Sequence, residues 1–106
     1  MTKLDKLIYL AGFLDGDGHF YKPMTVNGRG YKHPYVRIVA SQAKRHRATG
    51  RTYVLEWIKR HFGGSLYWYK GGVGRWALTG SKAVKLTTRL LPYLIVKRTQ
   101  AEAVLG

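Results

Sequence analysis

An apolar segment that ends in two acids limits the folds open to this chain more than any other feature. Leu7, Leu10, Ala11 and Leu14 recur at helical spacing, and Asp15-Gly16-Asp17-Gly18 follows directly. The pattern predicts a helix over Leu4 to Asp17, capped near Gly18, with an apolar face broad enough to be covered from two sides. Two of the chain's five acids then stand at the helix C-terminus, where the dipole disfavours negative charge. Asp17 gains nothing structural there unless a cation is near. Gly12 and Gly16, one turn apart, leave notches through which a second helix can approach closely. If that helix comes from a second copy across a two-fold axis, two Asp17 carboxylates meet, and bound cations would offset their repulsion. Oxygen donors of this kind, including the freed Gly16 carbonyl, suit Mg²⁺ better than zinc. A calcium-hand loop is excluded, because no Glu follows at the required spacing. A plain turn after a helix is the other reading of these residues.

Beyond the helix the period changes to alternation. Phe20 to Val26 and Tyr35 to Gln42 read as a hairpin with a loose turn at Asn27-Gly28-Arg29-Gly30. After a basic loop from Lys44 to Arg51, Val54, Trp57, Ile58 and Phe62 mark an amphipathic helix stopped by Gly63-Gly64. Leu66 to Lys70 and Arg75 to Thr79 form a second hairpin around Gly71-Gly72-Val73-Gly74. Ser81 is placed to cap a helix bearing Val84, Leu86, Leu90 and Leu91, and Pro92 opens a last helical segment to about Leu105. The expected fold is α+β, a single domain over residues 1–106 with a four-stranded antiparallel sheet and helices on one face.

Charge then selects the partner. Nineteen Lys and Arg against five acids give a formal +14 at pH 7, which calls for a polyanion, with nucleic acid ahead of a membrane surface. The absence of cysteine closes disulfide, thiolate-zinc and thiol-nucleophile chemistry. The longest apolar run, Leu7 to Leu14, is too short to span a bilayer, and no signal-peptide pattern appears, so a soluble intracellular protein is expected. On the sheet face away from the helices the alternation places Tyr21, Thr25, Asn27, His33, Tyr35, Arg37 and Ser41, with Lys70 and Arg75 on the second hairpin. Such a ribbon suits the major groove of double-stranded DNA, where Arg pairs with guanine and Asn with adenine. Trp68 is a further candidate, although Tyr67 and Tyr69 compete with it for that face. Lys22, Lys32, Lys82 and Arg98 are candidate phosphate contacts.

The run Leu10 to Gly18, followed by this order of elements, resembles the LAGLIDADG homing endonucleases, and its single copy resembles their homodimeric branch. The likeness extends to Val39-Ala40-Ser41-Gln42 and to Lys97-Arg98-Thr99-Gln100-Ala101. It implies an αββαββα fold with a saddle-shaped sheet, and a homodimer that cuts both strands of a long near-palindromic duplex, leaving short 3′ overhangs. It also implies that Asp17 and the Gly16 carbonyl bind Mg²⁺ or Mn²⁺, with Ca²⁺ able to occupy the site without supporting cleavage. By the same matching Gln42 and Lys97 are catalytic-site residues, joined by a basic residue for which Arg47 is the candidate among Arg45, His46 and Arg47. Ala11, Gly12, Asp15 and Gly16 fall on the paired helices of the dimer. No membrane partner and no small-molecule substrate is implied. The alternative within the family is a non-cleaving nucleic-acid-binding protein, either an RNA maturase or a transcription regulator.

Overall fold

The computed structural model describes residues 1–26, 28, 30, 32–43 and 54–106, with side chains at 25, 26, 32 and 33 left out. Helix α1 (Lys3–Asp17) starts from a capping box in which the Thr2 hydroxyl accepts the Asp5 N–H and the Asp5 carboxylate accepts the Thr2 N–H. It buries Leu7, Leu10, Ala11 and Leu14. Gly18 ends it as foreseen, but in extended backbone rather than the left-handed turn usual for a glycine cap. Glycine is needed there for room and not for its backbone angles, because a Cβ would lie 2.6 Å from the Leu14 side chain.

The first hairpin is interrupted where the sequence reading made it continuous. β1 (Gly18–Tyr21) pairs with β4 (Arg37–Ala43), and beyond Lys22-Pro23 a separate two-stranded ribbon forms from β2 (Met24–Val26) and β3 (Lys32–Pro34). Pro23 has no N–H to continue the main ladder. Its carbonyl accepts the Tyr35 N–H instead, which joins ribbon to sheet. Helix α2 (Val54–Phe62), β5 (Ser65–Trp68), β6 (Val73–Thr79) and α3 (Ser81–Leu90) complete the second half. The main sheet runs β1-β4-β6-β5, antiparallel throughout.

Two helix boundaries differ from expectation. Gly80, at φ 75°, holds the N-cap of α3, and Ser81 lies inside the helix without capping it. The last segment is split into a short 3-10 turn (Leu91–Tyr93) and α4 (Arg98–Leu105). Between them the Ile95 and Lys97 N–H groups both bond the Asp15 carboxylate, so a contact some eighty residues away in sequence breaks the helix.

One sheet face packs on the helices. Phe20, Ile38, Ala40, Trp76 and Leu78 meet Leu10, Leu14, Leu55, Ile58, Leu86 and Leu90 in a single core. Trp76 is fully buried and donates its indole N–H to the Gly63 carbonyl at 2.8 Å, so the chain's bulkiest core residue leaves no polar atom unpaired. No described helix is long and apolar enough to cross a membrane.

Candidate active site and nucleic-acid interface

Helix α1 passes into β1 without a loop, and Gly18 pairs with Ala40, so Asp17 arrives level with the end of β4. There Gln42 donates from Nε2 to Asp17 Oδ2 at 3.2 Å. Gln42 occupies the same strand parity as Ile38 and Ala40, the parity that faces the helices, and lies opposite Gly74. Asp17 is exposed, and no basic residue stands in the last turn of α1 to offset its charge.

The Gly16 carbonyl is at the helix end as well. Were α1 to continue, the N–H of Phe20 would close on that carbonyl; Phe20 donates instead to Gln100 Oε1 at 3.2 Å. The two oxygens thus offered, from Asp17 and Gly16, are hard donors of the kind Mg²⁺ and Mn²⁺ take, but too few for an octahedron. Among the described residues no group of three or more His or acidic side chains gathers around a metal position. The donor chemistry of these two oxygens fits a divalent cation, for which further ligands would have to come from outside the chain.

Asp15 serves another purpose. Its Oδ2 accepts Ile95 N–H at 2.8 Å and its Oδ1 accepts Lys97 N–H at 3.0 Å. The carboxylate expected between paired helices is engaged inside its own chain, where it fixes the point from which the half-buried Lys97 side chain departs. Ala11 differs from expectation too, since it is completely buried in the chain's own core. The exposed stripe of α1 runs through Leu4, Ile8, Gly12 and Gly16, and Ile95 and Val96 beside Asp15 are 84% and 71% exposed. These apolar residues were not foreseen.

The outer sheet face follows from the register. Tyr21 lies opposite Arg37, His19 opposite Val39, Ser41 opposite Arg75, and Arg75 opposite Tyr67. Tyr21, Arg37, Ser41 and Arg75 are on the face expected for them. Trp68 is not: it is opposite Gly74 on the helix side, packed against the core, while Tyr67 is 62% exposed on the outer face. Gly74 makes that possible, because the Trp68 ring occupies the space a Cβ would need. The Arg37 guanidinium sits 5.9 Å from the Tyr21 ring centre, and His19 stacks on the same ring at 5.2 Å. The Nε atoms of Arg37 and Arg75 are buried without a hydrogen-bond partner among the described residues. All five acids lie on α1, α2 and α4, so no strand carries a carboxylate to pair with them.

The remaining candidates divide. Lys70 is exposed in the β5–β6 turn, and Tyr35 is half-buried with its N–H on Pro23. Lys22 Nζ turns to the Gly106 carbonyl and Arg98 pairs with Glu102, both at the surface. Asn27 and Arg47 lie outside the described residues, as do the side chains of Thr25, Lys32 and His33. Gln100 is the functional-site neighbour that sequence reasoning quoted without a role.

No protein-family model matches the chain, and no curated protein does. Solved structures do. The homing endonuclease I-CvuI, in complex with the I-CreI target in 2 mM Mg with the DNA not cleaved, aligns with a TM-score of 0.79 and 25% identity, over 96% of this chain and 64% of its own. With its own target in 2 mM Ca it gives 0.78 and 27%, over 94% and 63%. The archaeal intron-encoded I-Vdi141I, complexed with DNA, aligns at 0.72 and 20% identity, over 97% of this chain and 66% of its own. The LAGLIDADG homing endonuclease I-SmaMI, bound to cleaved DNA, aligns at 0.66 and 19%, over 87% and 31%. The chain thus spans less than two thirds of the length of I-CvuI. Its helix, hairpin, helix, hairpin order is similar to that of these homing endonuclease structures, and its Leu10 to Gly18 run, which resembles the LAGLIDADG motif, occurs once.

Proposed function

We propose that this protein is a site-specific DNA endonuclease. Two copies bind a long, near-palindromic duplex and hydrolyse one phosphodiester in each strand with Mg²⁺ or Mn²⁺, leaving short 3′ overhangs. The observation that carries this reading is the exposed Asp17 carboxylate at the unfavourable end of α1, held by Gln42 and bordered by the Gly12 and Gly16 notches.

Asp17 and the Gly16 carbonyl would hold the cation. When bound, the metal supplies acidity to water and charge stabilisation to the phosphorane. Gln42 spends one N–H on Asp17 and keeps its Oε1 for orienting water. Lys97, started from the Asp15-held turn, brings a cation toward the charge that develops on phosphate oxygen. Arg47 is retained as the further basic residue on the strength of the resemblance. Arg37 and Arg75 face the major groove with Ser41 and Tyr67, and need an external acceptor that the acid-free sheet does not provide.

The dimer reading rests on two features. Added Cβ atoms at Gly12 and Gly16 would meet nothing within 4 Å in the single chain, so both glycines bear a helix cost of about 0.5–1 kcal/mol without serving their own core. The exposed Leu4, Ile8, Ile95 and Val96 supply apolar surface around them.

The test is a cleavage selection from a randomised duplex library with Mg²⁺, with Asp17→Asn beside it. Recovery of a near-palindrome cut only by the parent is expected, with both proteins binding the site and Ca²⁺ supporting binding alone. Equal cutting by Asp17→Asn overturns the assignment, and enrichment by binding without cutting in both proteins assigns the chain to a regulator or maturase.

A further inference from the structure

Helix α1 also carries two cations near its N-terminus, beside the capping Asp5. Lys3 and Lys6 stand in its first two turns, where positive charge is disfavoured. They line a cavity of about 450 Å³ with His61 and Phe62 of α2 and Arg89 of α3, and no carboxylate lines it. A second, apolar pocket of about 260 Å³ is formed by Met1, Tyr9, Val54 and Trp57. Ring contacts link the two. The Tyr9 and Trp57 rings meet edge to face at 5.1 Å, and Trp57 contacts His61 at 5.1 Å and Phe62 at 5.9 Å. Lys3 lies fourteen residues from Asp17 along the helix, or about 21 Å at 1.5 Å per residue. This surface is on the helical layer, away from the outer sheet face.

We propose that this double pocket binds a single strand of nucleic acid, with a backbone phosphate among Lys3, Lys6, His61 and Arg89 and a neighbouring base against Tyr9 and Trp57. Lys3 and Lys6 of α1 and Arg89 of α3, with the His61 ring of α2 beside them, suit a phosphate, and the adjoining aromatic side chains and apolar pocket suit an unstacked base; the two side by side make a platform for single strands. A duplex keeps its bases stacked and offers only the phosphate half. The strand held here is therefore additional to the duplex on the sheet.

His61 gives the site a pH dependence. Partial desolvation, then the charges of Lys6 and Arg60, hold its pKa below the ordinary imidazole value. The charged groups facing it are Lys6 and Lys3 from α1, Arg60 on its own helix and Arg89 from α3. A phosphate in their midst favours the protonated ring, so binding raises the His61 pKa and strengthens as pH falls through that range.

The experiment measures anisotropy of fluorescein-labelled oligouridylate and oligothymidylate with the full chain, and of a labelled duplex in parallel. Lys6→Glu with Arg89→Glu, both at the surface, should weaken single-strand binding at least about tenfold and flatten its salt slope by about 0.7 per lost phosphate, while duplex binding changes little. Tyr9→Ala should weaken single-strand binding alone. In NMR titrations the His61 ring should shift with oligonucleotide, and its pKa should rise. An equal loss for single strand and duplex in the charge-reversed protein overturns the proposal. Competition by uridine monophosphate or inorganic phosphate at the same concentration as the oligonucleotide also overturns it, and reassigns the pocket to a small free anion.

Discussion

Asp15 and Asp17 stand two residues apart on α1, one committed to backbone N–H groups of its own chain and the other open at the surface, so substitutions at the two positions separate structure from chemistry. Asp15→Ala strands two N–H groups and should cost about 2 kcal/mol of stability, measured by urea denaturation, while also displacing Lys97. Asp17→Asn should leave the melting curve nearly unchanged. Gln42→Ala removes a hydrogen bond to a charged group, worth about 1.5–3 kcal/mol, and should slow single-turnover cleavage about tenfold to a hundredfold with site binding intact. A third carboxylate sets an acid limit. The Thr2 backbone N–H, then its hydroxyl, hold the Asp5 pKa below the ordinary carboxylate value. A depressed carboxylate stabilises the fold above its unfolded pKa and loses that contribution as pH falls through the folded value. The N-terminal turn of α1 should therefore fray only as pH falls below the ordinary carboxylate range, read from amide exchange at residues 3–6, and Asp5→Ala should fray at every pH.

Among the elements, α1 and the order of hairpins and helices were legible because hydrophobic period changes from helical to alternating at Gly18 and back again at Val54. Breaks imposed by tertiary contacts were not legible. The gap before α4 depends on Asp15, remote in sequence, and the split of the first hairpin depends on where Pro23 falls relative to the ladder. Strand parity failed at one position. Trp68 is the more strongly base-stacking type, but only Gly74 across the strand pair leaves room for an indole, and that room is on the helix side. Gly74→Ala should thus cost about 1–3 kcal/mol by overpacking, checked by thermal denaturation. In the site, Asp17 and Gln42 were each singled out through resemblance but their hydrogen bond was not; Gln100, which takes the Phe20 N–H away from the helix, stood in a quoted run without a role. Gly12→Ala provides the matching test for α1. It should stabilise an isolated chain by about 0.5–1 kcal/mol yet weaken self-association in sedimentation.

For the whole molecule, the confinement of every acid to helices leaves the main sheet free of carboxylates, with Arg37 and Arg75 on its outer face. Arg37→Ala and Arg75→Ala should each reduce the salt slope of duplex binding by about 0.9 if each contacts one phosphate, and a larger loss on one sequence than on others would assign that arginine to a base edge instead. A net charge of +14 on 106 residues also repels itself, so added salt should raise the melting temperature. Helix α1 concentrates this tension, with lysines at its positive end and Asp17 at its negative end. In the absence of ligands its longest helix is therefore strained electrostatically at its C-terminus, while Asp5 in the first turn offsets Lys3 and Lys6 at the other end. Cation and polyanion then act as folding ligands as well as binding partners: each raises the unfolding free energy in proportion to the logarithm of its concentration, so the protein is most durable where its substrate is present.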